Sequence, residues 1–167
     1  TLPSVTAASL PLQSERSEVF HFVFSELQQV LPYLPDEHSN KEGNYYGRIT
    51  QPVVNFLLAK LALNAEIYMF DDWTKGYAKG KDIYFMVQTA DGASLLNGGK
   101  ASANRSMKLN AWETCIYYCD KLAEEGYDLE ADDAFNFSTH NETSKENIFT
   151  IPMDKNIYTN QFHYLFR

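Results

Sequence analysis

Apolar residues recur at helical spacing in three stretches of the chain, and each stretch predicts a helix with a different surface. In the first, Phe20, Val23, Leu27 and Leu31 share one face, with Val19 and Val30 widening the stripe, so a helix over about 17–31 is expected to bury one side. Ser14 or Ser17 is placed to cap it, and Pro32 and Pro35 close it. The second, QPVVNFLLAKLAL, is apolar almost all the way round, with Asn55 and Lys60 interrupting between Val53 and Leu63. A helix of that kind, spanning about 52–68, is expected to be enclosed by its neighbours. Thr50 stands at its cap, and Pro52 lies in the first turn, where a missing amide donor costs little. Ala59, Ala62 and Ala65 offer small side chains to an approaching helix, while Leu57, Leu58, Leu61 and Leu63 fill the remaining directions. The third helix, about 111–125, opens at Asn110, where Glu113 completes a capping box, and stops at Gly126. Its expected apolar stripe is Trp112, Cys115, Ile116, Cys119 and Leu122, with Trp112 in the core and Tyr127 and Leu129 folding back on the helix end.

Between the helices the period changes. DEHSNKEGN, 36–44, is a loop by composition. Residues 70–109 read as an insertion: a turn-rich DDWTKGYAKGKD, a short strand at IYFMVQ (83–88), then a Gly/Ser/Asn/Ala loop. Unstructured loops of that length are uncommon in compact domains and are usually functional. After the polar run 132–145, ENIFTI has strand character until Pro152 ends it. The region 146–167 is therefore expected to be a strand followed by an aromatic loop.

Composition narrows the class. With 167 residues, 44% of them hydrophobic, the chain can bury one sizeable core. A formal charge of -8 opposes a nucleic-acid or anionic-membrane role, because a phosphate-bearing surface demands clustered cations. The apolar runs fall short of the roughly 20 residues a spanning helix needs.

Candidate chemistry is sparse. Cys115 and Cys119 share a helix face at a spacing that resists bridging, and read as buried free thiols. His21, His38, His140 and His163 have no metal-ligand spacing, and Asp71, Asp72, Asp82 and Asp91 lack the alternation of a calcium loop. No nucleophile elbow, phosphate loop, zinc-protease or dinucleotide motif is present, and His140 beside Glu142 is the nearest thing to a catalytic pair. The expectation is a protein that is not an enzyme and carries no cofactor or metal. Aromatics are the more promising chemistry, because sugar rings stack on aromatic faces while amides take the hydroxyls. Tyr158, Phe162 and Tyr164, interleaved with Asn156, Asn160 and Gln161, have that composition; Trp73 and Tyr77 are second candidates.

Four blocks carry a family resemblance. They are R-S-E-V-F-x-F-V-x-S-E-L at 16–27 followed by LPYLP, G-R-x-T-x-x-x-x-x-x-L-L-A-K-L-x-L-N-A at 47–65, W-x-x-C-I-x-Y-C-D-K-L-x-x-x-G-Y-x-L at 112–129, and S-K-E-N-I-F at 144–149. In that order they resemble the SusD/RagB family of Bacteroidetes outer-membrane nutrient-binding lipoproteins, over most of residues 14–151.

The resemblance implies a mainly α fold of tetratricopeptide-like helix pairs, with long irregular loops and one or two short strands. Stacking on both sides would explain a helix without a solvated face. Arg48 is then expected to anchor helix-end carbonyls or a carboxylate. The implied role is to bind starch or another oligosaccharide at the cell surface, without catalysis, and to deliver it to a SusC-like TonB-dependent outer-membrane transporter. Tyr158, Asn160, Phe162 and Tyr164 are the candidate ligand contacts, and the membrane is reached only through a lipid anchor outside this sequence. Two departures accompany the resemblance. The 70–109 segment is longer than the usual link, and family members are several times longer, so the chain is expected to be a single partial domain. A peptide-binding tetratricopeptide-like scaffold is the alternative reading.

Overall fold

The computed structural model describes residues 13–72, 74, 78–89 and 105–151. Its elements, in chain order, are α1 (Arg16–Val30) with a 3-10 turn at Leu31–Tyr33, α2 (Gln51–Leu63), a single-turn α3 (Ala65–Tyr68), a 3-10 turn at Gly80–Asp82, β1 (Tyr84–Thr89), β2 (Arg105–Asn110) and α4 (Ala111–Glu124). Two further 3-10 turns follow, at Asp133–Phe137 and Asn141–Thr143. Among the described residues the fold is mainly α with one two-stranded antiparallel sheet.

The core forms where α4 packs along α2, with α1 and the sheet closing over it. Val54, Leu58, Ala59, Ala62 and Ala65 line one side of α2 and its continuation, and the three alanines are buried, as their small size predicts. From α4 the buried face is Ala111, Thr114, Tyr118 and Leu122. This face is rotated from the expected stripe. Trp112 is 44% exposed and lies against Gly80, while Ile116 and Cys119 point outward. The expectation weighed hydrophobicity above size; at the α2 contact Ala111 and Thr114 allow close approach, and Tyr118 supplies the volume. In α1 the expected stripe largely holds: Phe20 is buried and Leu27 and Leu31 pack against the core, but Phe24 takes the place of Val23, and Val19, Val23 and Val30 are on the exposed side.

Among the described residues, α2 is not enclosed. Phe56 and Leu57 are exposed, Leu63 is 58% exposed, and Asn64 breaks the helix before α3. Its neighbours α4 and α1 cover only part of its circumference, so an outward apolar ridge remains at Phe56, Leu63 and Ile67.

The segment expected as an insertion supplies core. Ile83, Phe85 and Val87 are buried, and Phe85 stacks on Phe24 with ring centroids 4.4 Å apart. The strand anticipated at 83–88 is present one residue later, and its partner β2 was not anticipated. Register runs from Tyr84↔Asn110 to Thr89↔Arg105. Asn110 ends the strand and caps α4 in the same step, in the capping box that its spacing with Glu113 predicts. The Ala111 amide donates to the Ile83 carbonyl (2.8 Å), which locks the sheet to the helix start.

Caps at the other helices differ from expectation. Glu15 occupies the α1 cap position without a side-chain bond; instead the Ser17 amide and hydroxyl both donate to the Asp71 carboxylate, at 2.9 and 2.6 Å. Thr50 holds the expected position but its hydroxyl makes no capping bond. No strand forms at 146–151. The amides of Lys145, Glu146 and Asn147 donate to the Glu130 carboxylate or the Ser144 hydroxyl, and side chains that capture backbone donors in this way leave none for a ladder.

Candidate functional site

The polar residues of the described structure converge below the loop 36–48, at the C-terminal end of α4. That end is closed by Gly126, whose φ of 88 is available to glycine at little cost, and the Tyr127 amide turns back to the Leu122 carbonyl (3.2 Å). Tyr127 thereby folds back on the helix end, as expected, and its ring lies against His38 of the loop, whereas Leu129 projects into solvent.

The loop is pinned from within. Ser39 and Asn40 are fully buried although their surroundings in sequence are charged and turn-forming. The Ser39 hydroxyl donates to the Arg48 carbonyl (2.6 Å), the Gly47 amide donates to the Ser39 carbonyl (2.8 Å), and the Asn40 amide donates to the Ser144 carbonyl (2.7 Å). Arg48 thus takes part through its backbone. Next to these bonds, His38 Nε2 donates to the Glu125 carbonyl (2.9 Å), since a carbonyl can only accept, and its ring stacks on Tyr127 at 4.2 Å and 9°. From α2, the buried Asn55 amide donates to Glu125 Oε1 (3.2 Å).

Glu125 is therefore a junction of loop, α2 and α4. Three buried atoms around it, Glu125 Oε2, His38 Nδ1 and Tyr127 Oη, have no hydrogen-bond partner among the described residues. Burial pushes the Glu125 carboxyl up to about 7; the Asn55 hydrogen bond opposes this and the charge of Asp36 adds to it. Tyr127 is pushed up to about 12 by burial and by the charge of Glu125. Beside the junction the loop forms a groove of about 410 Å³, walled by His38, Lys41, Asn44 and Tyr45 and flanked by Glu37 and Glu42. Rings, an amide and carboxylates around such a groove can hold a polyhydroxyl ligand by stacking and hydrogen bonding.

The candidate ligand contacts Tyr158, Asn160, Phe162 and Tyr164 lie outside the described residues, as do Trp73, Tyr77 and Asp91. His140 Nδ1 stands 3.4 Å from Glu142 on an exposed turn, with no third side chain bonded to the ring among the described residues. Asp71 is engaged at the start of α1, and no three His, Cys, Asp or Glu side chains gather at metal-binding distance among the described residues. The two thiols are free: Cys119 is exposed, contrary to the expectation of a buried pair, and Cys115 is pushed up to about 11 by burial and its neighbour Cys119.

The junction itself was not anticipated from sequence. Its one visible signal is Asn55, an amide within an otherwise apolar helix, which requires a polar partner once buried. Comparison with protein-family models, with curated proteins and with solved structures yields no match to this chain.

Proposed function

We propose that this chain belongs to a SusD/RagB-like glycan-binding component of a polysaccharide uptake system, non-catalytic and held at the cell surface. The observation that carries the reading is where the four resemblance blocks fall. Block 16–27 lies in α1, 47–65 in α2, and 112–129 in α4 and its stop. Block 144–149 is the turn whose Lys145 carbonyl accepts from the Asp128 amide (3.1 Å). Segments up to about a hundred residues apart thus form one connected unit. In this reading α2 and α4 are a tetratricopeptide-like pair. The exposed ridge of Phe56, Leu63 and Ile67 is where a further helix pair stacks, since an uncovered apolar stripe seeks a neighbour. Tyr158, Asn160, Phe162 and Tyr164 provide rings and an amide for sugar, and the ligand passes to a SusC-like TonB-dependent transporter.

Titration calorimetry of the chain against a panel of starch and other polysaccharide fragments tests the proposal. Binding to at least one fragment is expected, and replacing Tyr158 and Tyr164 together by Ala should weaken it about tenfold or more, since two stacking contacts of on the order of 1 kcal/mol each exceed the roughly 1.4 kcal/mol that a factor of ten requires. Absence of heat across the panel, or hydrolysis of any fragment, overturns the reading.

A further inference from the structure

We propose that Glu125 is a proton-controlled latch: with its carboxyl protonated the 36–48 loop is held against the ends of α2 and α4, and on ionisation the loop, with the groove it walls, opens.

Two contacts fasten the loop beside Glu125, and a third ties Glu125 itself to α2. Its carbonyl takes the His38 ring proton (2.9 Å), its side chain takes the Asn55 amide (3.2 Å), and Tyr127, two residues on, carries the stacked His38 ring. The rest of the loop is tied to itself through Ser39 and Gly47 and so moves as a unit; Asn40, bonded to the Ser144 carbonyl, and Pro35, whose carbonyl takes the Gln51 amide (2.8 Å), remain its anchors when His38 lifts. Closure leaves Glu125 Oε2 buried without a donor among the described residues. A neutral carboxyl tolerates that position. A carboxylate does not, because a buried unpaired charge is far costlier than a buried hydroxyl.

The charged groups around the carboxyl do not rescue it. From the loop come Asp36, a second negative charge, and His38, whose ring proton is committed to the backbone. From α4 come Glu124, again negative, and Lys121, which is already paired with Glu124 at 2.7 Å. Tyr127 is itself held neutral, and α2 presents the Asn55 amide. Opening the loop exposes the carboxylate to water and takes the charge of Asp36 away from it, while Glu124 and Lys121 stay beside it on α4. The upward shift of Glu125 to about 7 agrees with this balance and places the change near neutral pH.

Amide hydrogen exchange on the intact 167-residue chain from pH 5 to 8.5, corrected for the intrinsic rate, tests the latch. The Gly47 amide reports the loop and the Leu58 amide reports the α2 core. The opening constant at Gly47 should rise about tenfold or more between pH 5 and 7, then level off, because the open state loses its proton at lower pH than the closed one. Gly47 should also exchange far faster than Leu58 throughout, and Glu125→Gln should flatten the profile. A carboxyl titration of Glu125 by NMR, which needs no substitution, should centre well above the ordinary glutamate range. The latch is overturned by a Gly47 profile that is flat in the parent chain, by the same rise in Glu125→Gln, by exchange of Gly47 and Leu58 at one common rate, or by a Glu125 midpoint near 4.5.

Discussion

Two halves of the molecule are held together by different physics. On one side, Leu58, Val54, Ala62, Val87 and the Phe20, Phe24 and Phe85 rings form an apolar cluster in which α2, α4, α1 and the sheet meet. On the other, Ser39, Asn40, Glu125 and Ser144 are buried or half-buried polar groups, most of them bonded to a partner far away in sequence. Burial of apolar area is non-directional, so the first half tolerates small shifts. The second depends on individual donors and acceptors, each of which costs free energy when its partner is removed. Stability therefore belongs mainly to the first half, and responsiveness to the second.

The largest losses of stability are expected in the apolar half. Phe85→Ala removes a ring that stacks on Phe24 and contacts Phe20, and should destabilise by about 3–5 kcal/mol; Leu58→Ala, at a fully buried position, should cost roughly 2–5 kcal/mol. Urea unfolding followed by circular dichroism measures both. Losses below about 1 kcal/mol would show that the sheet and the helix pair unfold independently of this cluster.

In the polar half a single substitution should cost less. Asn40→Ala deletes the donor to the Ser144 carbonyl and leaves that carbonyl without it, so roughly 1–3 kcal/mol is expected from the same unfolding measurement. A loss as large as that of Leu58→Ala would mean that the loop is part of the cooperative core, and the contrast between the halves would disappear.

How much of this was legible in the sequence follows the same division. The existence of α1, α2 and α4 was legible because each carries apolar residues at helical spacing, and the start and stop of α4 because Asn110, Glu113 and Gly126 act locally. Which face turns inward was not, because Thr114 and Ala111 are chosen by the closeness of α2 rather than by hydrophobicity. Strand β2, RSMKLN, alternates polar and apolar residues from Ser106 to Asn110, but the run holds two apolar residues only, Met107 and Leu109, too short a signal beside the loop before it, and its pairing with β1 makes it a strand. The polar junction was almost invisible: Asp71 capping α1 and Asn40 reaching Ser144 are tertiary bonds across 54 and 104 residues, and no local rule records them. The proposed aromatic contacts at 158–164 lie outside the described residues.

The carboxylates of the polar half make stability depend on pH. Glu125 has its folded value raised from 4.5 to about 7, so the folded state holds this proton more tightly than the unfolded chain does. Its contribution is fully present below about pH 4.5, is lost as pH rises to about 7, and changes no further above that. Asp71, Asp128 and Glu146 act in the opposite direction: hydrogen bonds from Ser17, Leu129 and Asn136 hold them below the usual carboxylate range, so their support is lost as the solution is acidified through their folded values. Stability should therefore peak on the acidic side of neutrality and decline toward pH 7. Thermal unfolding at pH 5, 6 and 7 checks the slope, which Glu125→Gln should remove. A slope that persists in the variant would assign it to another group.

The smallest effect is expected where the apolar pattern misleads most. Leu63 belongs to the all-round hydrophobic run of α2, yet it is 58% exposed and lies on the ridge shared with Phe56 and Ile67. An exposed leucine has already kept most of its contact with water, so truncation forfeits little transfer energy and leaves no cavity. Leu63→Ala should change the stability of this chain by no more than about 0.5 kcal/mol. A loss of 2 kcal/mol or more would show the ridge to be covered in solution, and α2 would then be enclosed as its sequence pattern implies. If the small effect is found, the apolar side chains at 56, 63 and 67 serve contacts beyond the cluster described here, as the stacked helix pairs of the proposed family would require.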